Sequence, residues 1–406
     1  MALASTSRVQ LTYVPEVTFG VTPTTGNHKE LSMTGESLNY TLTKEGSNEI
    51  NAYRALSSMN VTSAEASGGV NGEVKFGEYD TLIQGVLQDT WTAFGTQGVG
   101  VAFSATITAT TITASVATTG TSLFTLLKAG QWFSLTGTSS ANDNKLFRVS
   151  KVTAPTDTVI TLDVGTPGVA GGPFAATVLR AARLSNGTTQ PSFTLERASN
   201  DTGEFFAYRG MTPSSMSMSI DSGALSTLDF NFMGKDAVAA SVTTMPGTKT
   251  PSLAYPVMSG VSGTACALWA KGAPLAGTFV NSIKMSYDNA LRGQSAICSL
   301  GNVSIGSGTI NATLDIEVYF ATGKAFYAEF LSNANMEIAF TTFDTNGNGY
   351  VFTMPVANVS SYTVNAGGKD SDLMASIKLT ALLDLGQSDA SLRRVLFIDR
   401  IGAALV

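Results

Sequence analysis

Apolar and polar residues alternate with a period of two over many short segments of the chain. Between residues 215 and 220, methionine and isoleucine alternate with serine, and between residues 314 and 318, apolar residues alternate with Asp315 and Glu317. Such alternation predicts a strand with one buried face and one solvated face. The dipeptides Asn71-Gly72 and Asn346-Gly347 between such segments predict turns. The pattern indicates a mostly β protein.

Two segments follow the helical period instead. Residues 79–88 place Leu82, Ile83, Val86 and Leu87 on one stripe, and residues 324–332 do the same with aromatic side chains. Each segment predicts a short amphipathic helix directly after a strand.

The two strand–helix units are copies of each other. Adding 244 to a position in the first unit reaches its counterpart in the second, which places Val70 on Leu314 and Glu73 on Glu317. Further on, Ser214-Ser215 matches Ser360-Ser361. The simplest explanation is a duplicated β-domain whose first copy carries a long insertion.

The predicted organisation has six parts. The first copy comprises residues 1–102 and 181–240, and a small β-rich unit, residues 103–180, is inserted into it. A linker rich in Pro, Gly and Ser follows at 241–278, then the second copy at 279–385 and an apolar arm at 386–406. The arm either docks on a neighbouring molecule or closes its own domain.

Composition excludes several classes of function. Only 13% of the 406 residues are charged, and the net charge of −6 argues against a protein that grips nucleic acid through its phosphates. No apolar run is long enough for a membrane-spanning helix. The first residues lack an apolar signal core, so export is not indicated.

Candidate chemistry is sparse. The single histidine, His28, lies in a Gly-, Thr- and Pro-rich segment and is expected in an exposed loop, and the two cysteines cannot form a disulfide framework. Asp344, Asn346 and Asn348 imitate half of a calcium loop, but Pro355 stands where the bidentate Glu is required, so a tight turn is expected. We therefore predict no enzyme, no catalytic residues, no metal and no cofactor.

Several segments of the first copy together resemble a known family, the tail tube (major tail) proteins of bacteriophages with long non-contractile tails, the siphovirus type. The segments are QLTYVPEVTFGVTP at 10–23, LSMTGESLNY at 31–40, SGGVNG at 67–72, SFTLER at 192–197, RGM at 209–211 and FMGKD at 232–236. The resemblance covers the duplicated body and is weaker over residues 103–180.

The resemblance implies an all-β fold of two tandem tube domains, each a β-sandwich or barrel with one short helix, plus the inserted β-domain. Subunits of this family form stacked rings, and two-domain members form trimers with pseudo-sixfold symmetry. The implied role is a virion structural protein, assembled in the host cytoplasm, whose tube conducts double-stranded DNA during ejection. The implied partners are further copies of the chain, the tape-measure protein and tail-tip or terminator proteins, with no membrane.

Polar strand faces supply the candidates for the inner surface of such a tube, because an acidic and neutral lining repels the DNA backbone. Alternation shows two faces but does not decide which one lines the bore. The lumen-facing candidates are Glu73, Lys75, Asp229, Asn231, Asp315, Glu317, Ser376 and Lys378.

The family also implies a long loop that reaches the next ring. In this chain the loop is expected at residues 44–60, with a counterpart near residues 288–302. The candidate residues are Lys44, Glu45, Glu49, Arg54, Asp288 and Arg292.

A second interpretation is an extracellular or virion β-sandwich adhesin that binds carbohydrate, with the insertion as its recognition domain. Filament formation would favour the tube, and ligand-dependent melting shifts would favour the adhesin. In a tube the insertion is expected on the outside, either as a decoration domain or as an inert spacer.

Overall fold

The computed structural model describes residues 5–94, 99–114, 124–138, 141–261, 267–275, 279–320 and 324–402. Parts of the predicted insertion, linker and C-terminal arm, together with Cys266, lie outside these residues. Among the described residues, strands dominate and two α-helices occur, so the prediction of a mostly β fold is confirmed.

The chain begins with a short 3₁₀ helix, Thr6–Arg8, followed by six strands and one α-helix. The elements are β1 (Val9–Pro15), β2 (His28–Leu31), β3 (Gly35–Glu36), β4 (Asn39–Gly46), β5 (Met59–Glu73), α1 (Asp80–Leu87) and β6 (Thr92–Ala93).

A separate six-stranded antiparallel sheet comes next and has its own hydrophobic core, which includes Phe124, Phe133 and Phe147. It begins at Val99, slightly before the predicted start of the insertion, and ends at Arg180. Its strands are β7 (Val99–Ile107), β8 (Thr111–Ala114), β9 (Trp132–Thr136), β10 (Leu146–Arg148), β11 (Val159–Thr161) and β12 (Gly171–Arg180). We call it the six-stranded unit.

The chain then returns to the main body. The strands are β13 (Ala182–Ser185), β14 (Phe193–Ser199), β15 (Glu204–Asp221), β16 (Thr227–Gly234), β17 (Asp236–Ala240), β18 (Lys249–Thr250), β19 (Leu268–Ala270) and β20 (Ala273–Pro274). The last three lie within the predicted linker. They pair with β2 and with β25 of the next part, so the described linker is bound to both ends of the body.

The remaining elements form the second half. They are β21 (Val280–Asp288), β22 (Arg292–Gln294), β23 (Ser304–Gly306), β24 (Asn311–Tyr319), α2 (Lys324–Ser332), β25 (Asn335–Phe343), β26 (Gly349–Ala366), β27 (Leu373–Leu382) and β28 (Phe397–Ile401), with a 3₁₀ helix at Ala390–Leu392. Both predicted helices are confirmed. Strand β28, in the C-terminal arm, pairs with β26 and also with β13 of the first half.

The pairing pattern of the first half is repeated in the second. Each half has one 18-residue strand, β15 or β26, that takes part in two sheets. Each of these strands carries a β-bulge, after Pro213 and after Val359. Each also has a register shift against its other neighbour, at the pairs Phe193–Met211 and Met336–Ala357. On the long strands, residues 213 and 359 are 146 apart, and so are 211 and 357.

The middle strands differ from the sequence alignment by two residues. In the first half Phe230 pairs with Val70, whereas its counterpart Ile377 pairs with Ile316. Residue 70 therefore corresponds to residue 316, a separation of 246 in place of 244. Glu317 corresponds to Asn71, and the alignment of Glu317 with Glu73 was wrong.

One continuous core joins the two halves. It includes Leu82 and Val86 of α1, Phe230 of β16 and Ile316 of β24. Polar contacts cross the same boundary: the Asp80 carboxylate accepts from the Tyr350 hydroxyl at 2.5 Å and from the Arg400 guanidinium at 2.6 Å. This burial and the Asp80 carboxylate raise the pKa of Tyr350.

The six-stranded unit lies against the second half. Trp132 contacts Trp269 with ring centroids 5.0 Å apart and donates its indole N–H to Thr353 at 3.1 Å. Arg148 and Lys151 form ion pairs with Glu337 of β25, and Arg148 is only 4% exposed. The unit is thus fixed to the body by apolar and ionic contacts.

Two local predictions were wrong. His28 is 7% exposed, because β2 carries it between β1 and β18, and its Nδ1 lies 2.9 Å from the Pro246 carbonyl oxygen. Asn71-Gly72 forms no turn but continues β5, where Gly72 pairs with Leu228. By contrast, the turn at Asp344 is confirmed, since its carboxylate accepts from the backbone N–H groups of Asn346 and Asn348.

Candidate functional site: a polar sheet face and two free edges

Eight strands form one sheet that runs through both halves, which we call the shared sheet. Its order is β4-β5-β16-β15-β21-β24-β27-β26, and all neighbours are antiparallel. The halves meet at the pairing of β15 with β21, where Met216 lies opposite Tyr287 and Met218 lies opposite Met285.

One face of the shared sheet is apolar and closed. Met216, Leu314 and Ile377 are at most 1% exposed and belong to the common core. Because side chains alternate between faces, the residues between them point to the opposite side. That opposite side is polar, and we call it the polar face.

Seven of the eight predicted lumen candidates lie on the polar face. Asp229 and Asn231 are on β16, Asp315 and Glu317 on β24, Ser376 and Lys378 on β27, and Glu73 ends β5. Each alternates with a buried neighbour in the burial pattern of its strand. The structure therefore brings residues far apart in sequence onto one continuous surface.

Lys75 is the exception. It follows the end of β5, forms an isolated bridge with Val257, and donates from its Nζ to the Ser32 hydroxyl at 2.9 Å. Its ammonium group is thus held at the loop between β2 and β3 and does not lie over the sheet.

Opposite charges are interspersed on the polar face. Lys284 lies opposite Asp315, which in turn lies opposite Lys378. Asp229 has only neutral cross-strand neighbours, Ser217 and Asn71. Partial burial raises the pKa of Asp229 above its usual value, which a hydrogen bond from Ser217 opposes.

Sequence reasoning missed several members of this face. They are Glu65 on β5, Asp221 on β15, and Lys284 and Ser286 on β21. The alternation of Ile283, Met285 and Tyr287 in β21 would have identified the last two. With them, the charged residues that we place on the polar face are Glu65, Glu73, Asp221, Asp229, Asp288, Asp315 and Glu317, against Lys284 and Lys378, so carboxylates prevail.

The predicted loop in the first half is an exposed hairpin. Lys44 and Glu45 lie at the solvent end of β4, and Glu49 and Arg54 lie in the loop between β4 and β5. Two apolar side chains of this loop are almost fully exposed, Ile50 at 99% and Tyr53 at 90%. Such exposure in a loop tip is typical of a surface that binds a partner.

The counterpart loop behaves differently. Asp288 ends β21, and Arg292 lies in β22, which pairs with β23 in a small hairpin. The loop between β22 and β23 turns back onto the first half. There the Leu300 carbonyl accepts from the backbone N–H of Ala64 at 2.9 Å, and Asn302 donates to the Gly234 carbonyl at 2.9 Å.

The shared sheet ends in two free edges. Among the described residues, β4 pairs only with β5, and the end of β26 beyond Val359 pairs only with β27. Each edge therefore presents a row of unpaired backbone N–H and C=O groups, which is a template for pairing with another chain.

Within the described part of the chain, no group of three or more His, Cys, Asp or Glu side chains is arranged to hold a metal ion. None of the described helices is long and apolar enough to cross a membrane.

Comparison with known families identifies one that matches almost the whole sequence. The model of a family described as phage tail tube protein matches residues 6–381. No curated protein matches the chain.

Proposed function

The chain belongs to the phage tail tube protein family, and from that premise we propose that three copies close a ring in which six tube domains have pseudo-sixfold symmetry. The protein is a structural component of the virion tail and not an enzyme. Its family implies self-assembly; the ring size and the other partners are our proposals.

The repeated pairing pattern is the observation that carries this proposal. Each half supplies four strands to the shared sheet, and the two halves are joined edge to edge at β15 and β21. Joining further halves in the same way curves the sheet towards a closed barrel, which removes the free edges. Three chains then provide six equivalent domains.

We assign the domains accordingly. Residues 1–102 and 181–240 form the first tube domain, residues 103–180 the insertion, residues 241–278 the linker, residues 279–385 the second tube domain and residues 386–406 the arm. The insertion lies on the outside of the tube, because its six-stranded unit is far too large for a bore lined by the shared sheet.

The polar face of the shared sheet lines the bore. Its mixed but mainly acidic side chains do not bind phosphate, so double-stranded DNA can slide through without being retained. The opposite face cannot have this role, since it is buried in the core.

The exposed hairpin between β4 and β5 mediates stacking. A protein that presents the same complementary surfaces above and below forms an open-ended filament. Ile50 and Tyr53 at the loop tip supply apolar contact area, and Lys44, Glu45, Glu49 and Arg54 supply charges around it. Assembly proceeds with the tape-measure protein and ends at tail-tip and terminator proteins.

Negative-stain electron microscopy of the concentrated protein, with mass photometry of the same sample, tests the proposal. Rings or hollow tubes whose mass is a multiple of three chains are expected. Rings of six chains would retain the tube and contradict the pseudo-sixfold arrangement. A protein that stays monomeric and does not extend purified tail-tip complexes would contradict the tube itself.

A further inference from the structure

We infer that neighbouring copies of this chain are joined by antiparallel pairing of β26 in one copy with β4 in the next, in the register that β15 and β21 have within the chain. The inference rests on the proposed ring and specifies its interface: Tyr362 lies opposite Tyr40, and Thr363 opposite Asn39.

The internal joint is the template for this interface. Strand β15 uses one edge for β16 and the other for β21. Strand β26 uses one edge for β27 in the same manner, but its other edge beyond Val359 is free among the described residues. The strand that corresponds to β21 is β4, whose outer edge is also free.

The correspondence between β15 and β26 follows from their bulges, which are 146 residues apart. Because a bulge fixes the register on both of its sides, Ser217 corresponds to Thr363 and Met216 to Tyr362.

The correspondence between β21 and β4 follows from the hairpins at their ends. Arg292 pairs with Gly306 in the second half, and Glu45 pairs with Asn60 in the first. Residue 306 is 246 beyond residue 60, the separation already found for β5 and β24, so residue 292 corresponds to residue 45, a separation of 247. Tyr287 therefore corresponds to Tyr40 and Ser286 to Asn39.

The chemistry of the two edges agrees with this register. Within the chain, Met216 lies opposite Tyr287 and Ser217 opposite Ser286, and the apolar pair is at most 1% exposed. At the free edges the equivalent apolar side chains are less well covered: Tyr362 and Tyr40 are half-buried, and Val364 is 38% exposed.

The polar positions are compatible as well. Thr363 and Asn39 are neutral, so their apposition creates no like-charge contact, and they would continue the polar face from one copy to the next. Lys44 and Glu45, the charged residues of β4, lie beyond the paired segment.

Paired cysteines test the register in the full-length chain. The variant N39C/T363C is made in a C266S/C298S background and oxidised mildly after assembly. Directly opposite residues in an antiparallel pair have Cα atoms roughly 4.5–5.5 Å apart, which suits a disulfide. We expect covalent oligomers on denaturing gels, up to the number of chains in the ring.

Two matched variants serve as controls. S217C/S286C places cysteines at the equivalent internal pair and should give an intrachain disulfide to the same extent, without oligomers. T41C/T363C is displaced by two residues from the inferred register, and its diagonal positions are roughly 7–8 Å apart, so it should remain uncross-linked.

The outcomes separate this inference from the proposed function. Cross-linking of N39C/T363C alone supports the register. Cross-linking of T41C/T363C in its place, or tubes in electron micrographs without either cross-link, would overturn the inference and leave the tube standing. A sample with neither cross-links nor rings or tubes would overturn both.

Discussion

At the residue scale, Gly72 shows how a reliable sequence signal can have a different physical cause. An Asn-Gly pair between alternating segments predicts a turn, yet Gly72 lies inside β5. A Cβ atom there would be 2.0 Å from the hydroxyl oxygen of Tyr79. Tyr79 is 1% exposed and donates to the Ser32 carbonyl at 2.7 Å. The glycine is needed for a neighbouring side chain, which a local pattern cannot reveal.

We expect Gly72→Ala to lower the free energy of unfolding by about 1–3 kcal/mol, because the methyl group displaces the buried Tyr79 ring. Urea unfolding followed by circular dichroism measures the change. Gly35→Ala is the matched control, since Gly35 pairs with Asn71 on the adjacent strand and a Cβ there meets nothing within 4 Å. Equal stabilities of the two variants would contradict this explanation.

His28 illustrates a related limit at the same scale. Its surroundings in sequence are typical of a loop, and β2 has only four residues, too few for a periodic pattern to be recognised. The strand forms because β1 and β18 lie on both sides of it, and β18 is more than 200 residues away in sequence. Burial of this side chain is therefore a tertiary effect.

At the scale of elements, the pattern of two predicted the strands, both helices and the faces of the shared sheet. It could not give the register between the halves. A displacement by two residues leaves every side chain on the same face, so alternation fits separations of 244 and 246 equally well. Pairing and bulges distinguish them. Lys75 was misplaced for a similar reason, since alternation continues past the point where β5 ends.

The contact between the six-stranded unit and β25 was not predictable either, because its partners come from distant segments. Glu337 holds two cations, Arg148 and Lys151, and is itself 10% exposed. Replacing one partner of a buried ion pair leaves the other charge uncompensated, at a cost of about 3–5 kcal/mol.

We therefore expect Glu337→Gln to release the six-stranded unit at a lower temperature than the body unfolds. Trp132 and Trp269 lie at this contact, so tryptophan fluorescence during heating reports it. Glu329→Gln is the control, because Glu329 pairs with Lys271, whose side chain is 57% exposed, and such pairs contribute little. An identical fluorescence transition in both variants would show that the ionic contact does not hold the unit.

At the scale of the whole molecule, the core contains several buried tyrosines. Burial raises the pKa of Tyr13 to about 12 and also raises the pKa values of Tyr79, Tyr287 and Tyr350 above the usual value near 10. Between pH 10 and these higher values, the unfolded chain releases protons that the folded chain keeps. The associated stability is thus complete below pH 10 and is lost as the pH rises.

We expect the free energy of unfolding to fall above pH 10, by about 1.4 kcal/mol per pH unit for each such tyrosine. In Tyr287→Phe the slope should be smaller by that amount. Urea unfolding at a series of pH values measures it. Tyr53→Phe removes a tyrosine that is 90% exposed and should leave the slope unchanged. A slope in Tyr287→Phe equal to that of the unmodified protein would contradict the assignment.

The function proposed for the polar face depends on its charge and not on any single residue, so reversing charges is the direct test. Asp229 and Glu317 suit this purpose because their cross-strand neighbours are neutral, and lysines there create no like-charge pair in the sheet. In assembled tubes, D229K/E317K should retain double-stranded DNA at low salt, with retention falling as salt increases.

The matched control reverses the same number of carboxylates away from the polar face. Asp157 lies in the six-stranded unit and Glu204 begins β15, and both are exposed. D157K/E204K changes the net charge equally, but outside a bore lined by the polar face. Sedimentation of tubes with DNA fragments measures retention, and nuclease digestion distinguishes enclosed DNA from DNA on the outer surface. Nuclease-resistant DNA only in D229K/E317K is the expected result, whereas equal, nuclease-sensitive binding by both variants would contradict a lumen on this face.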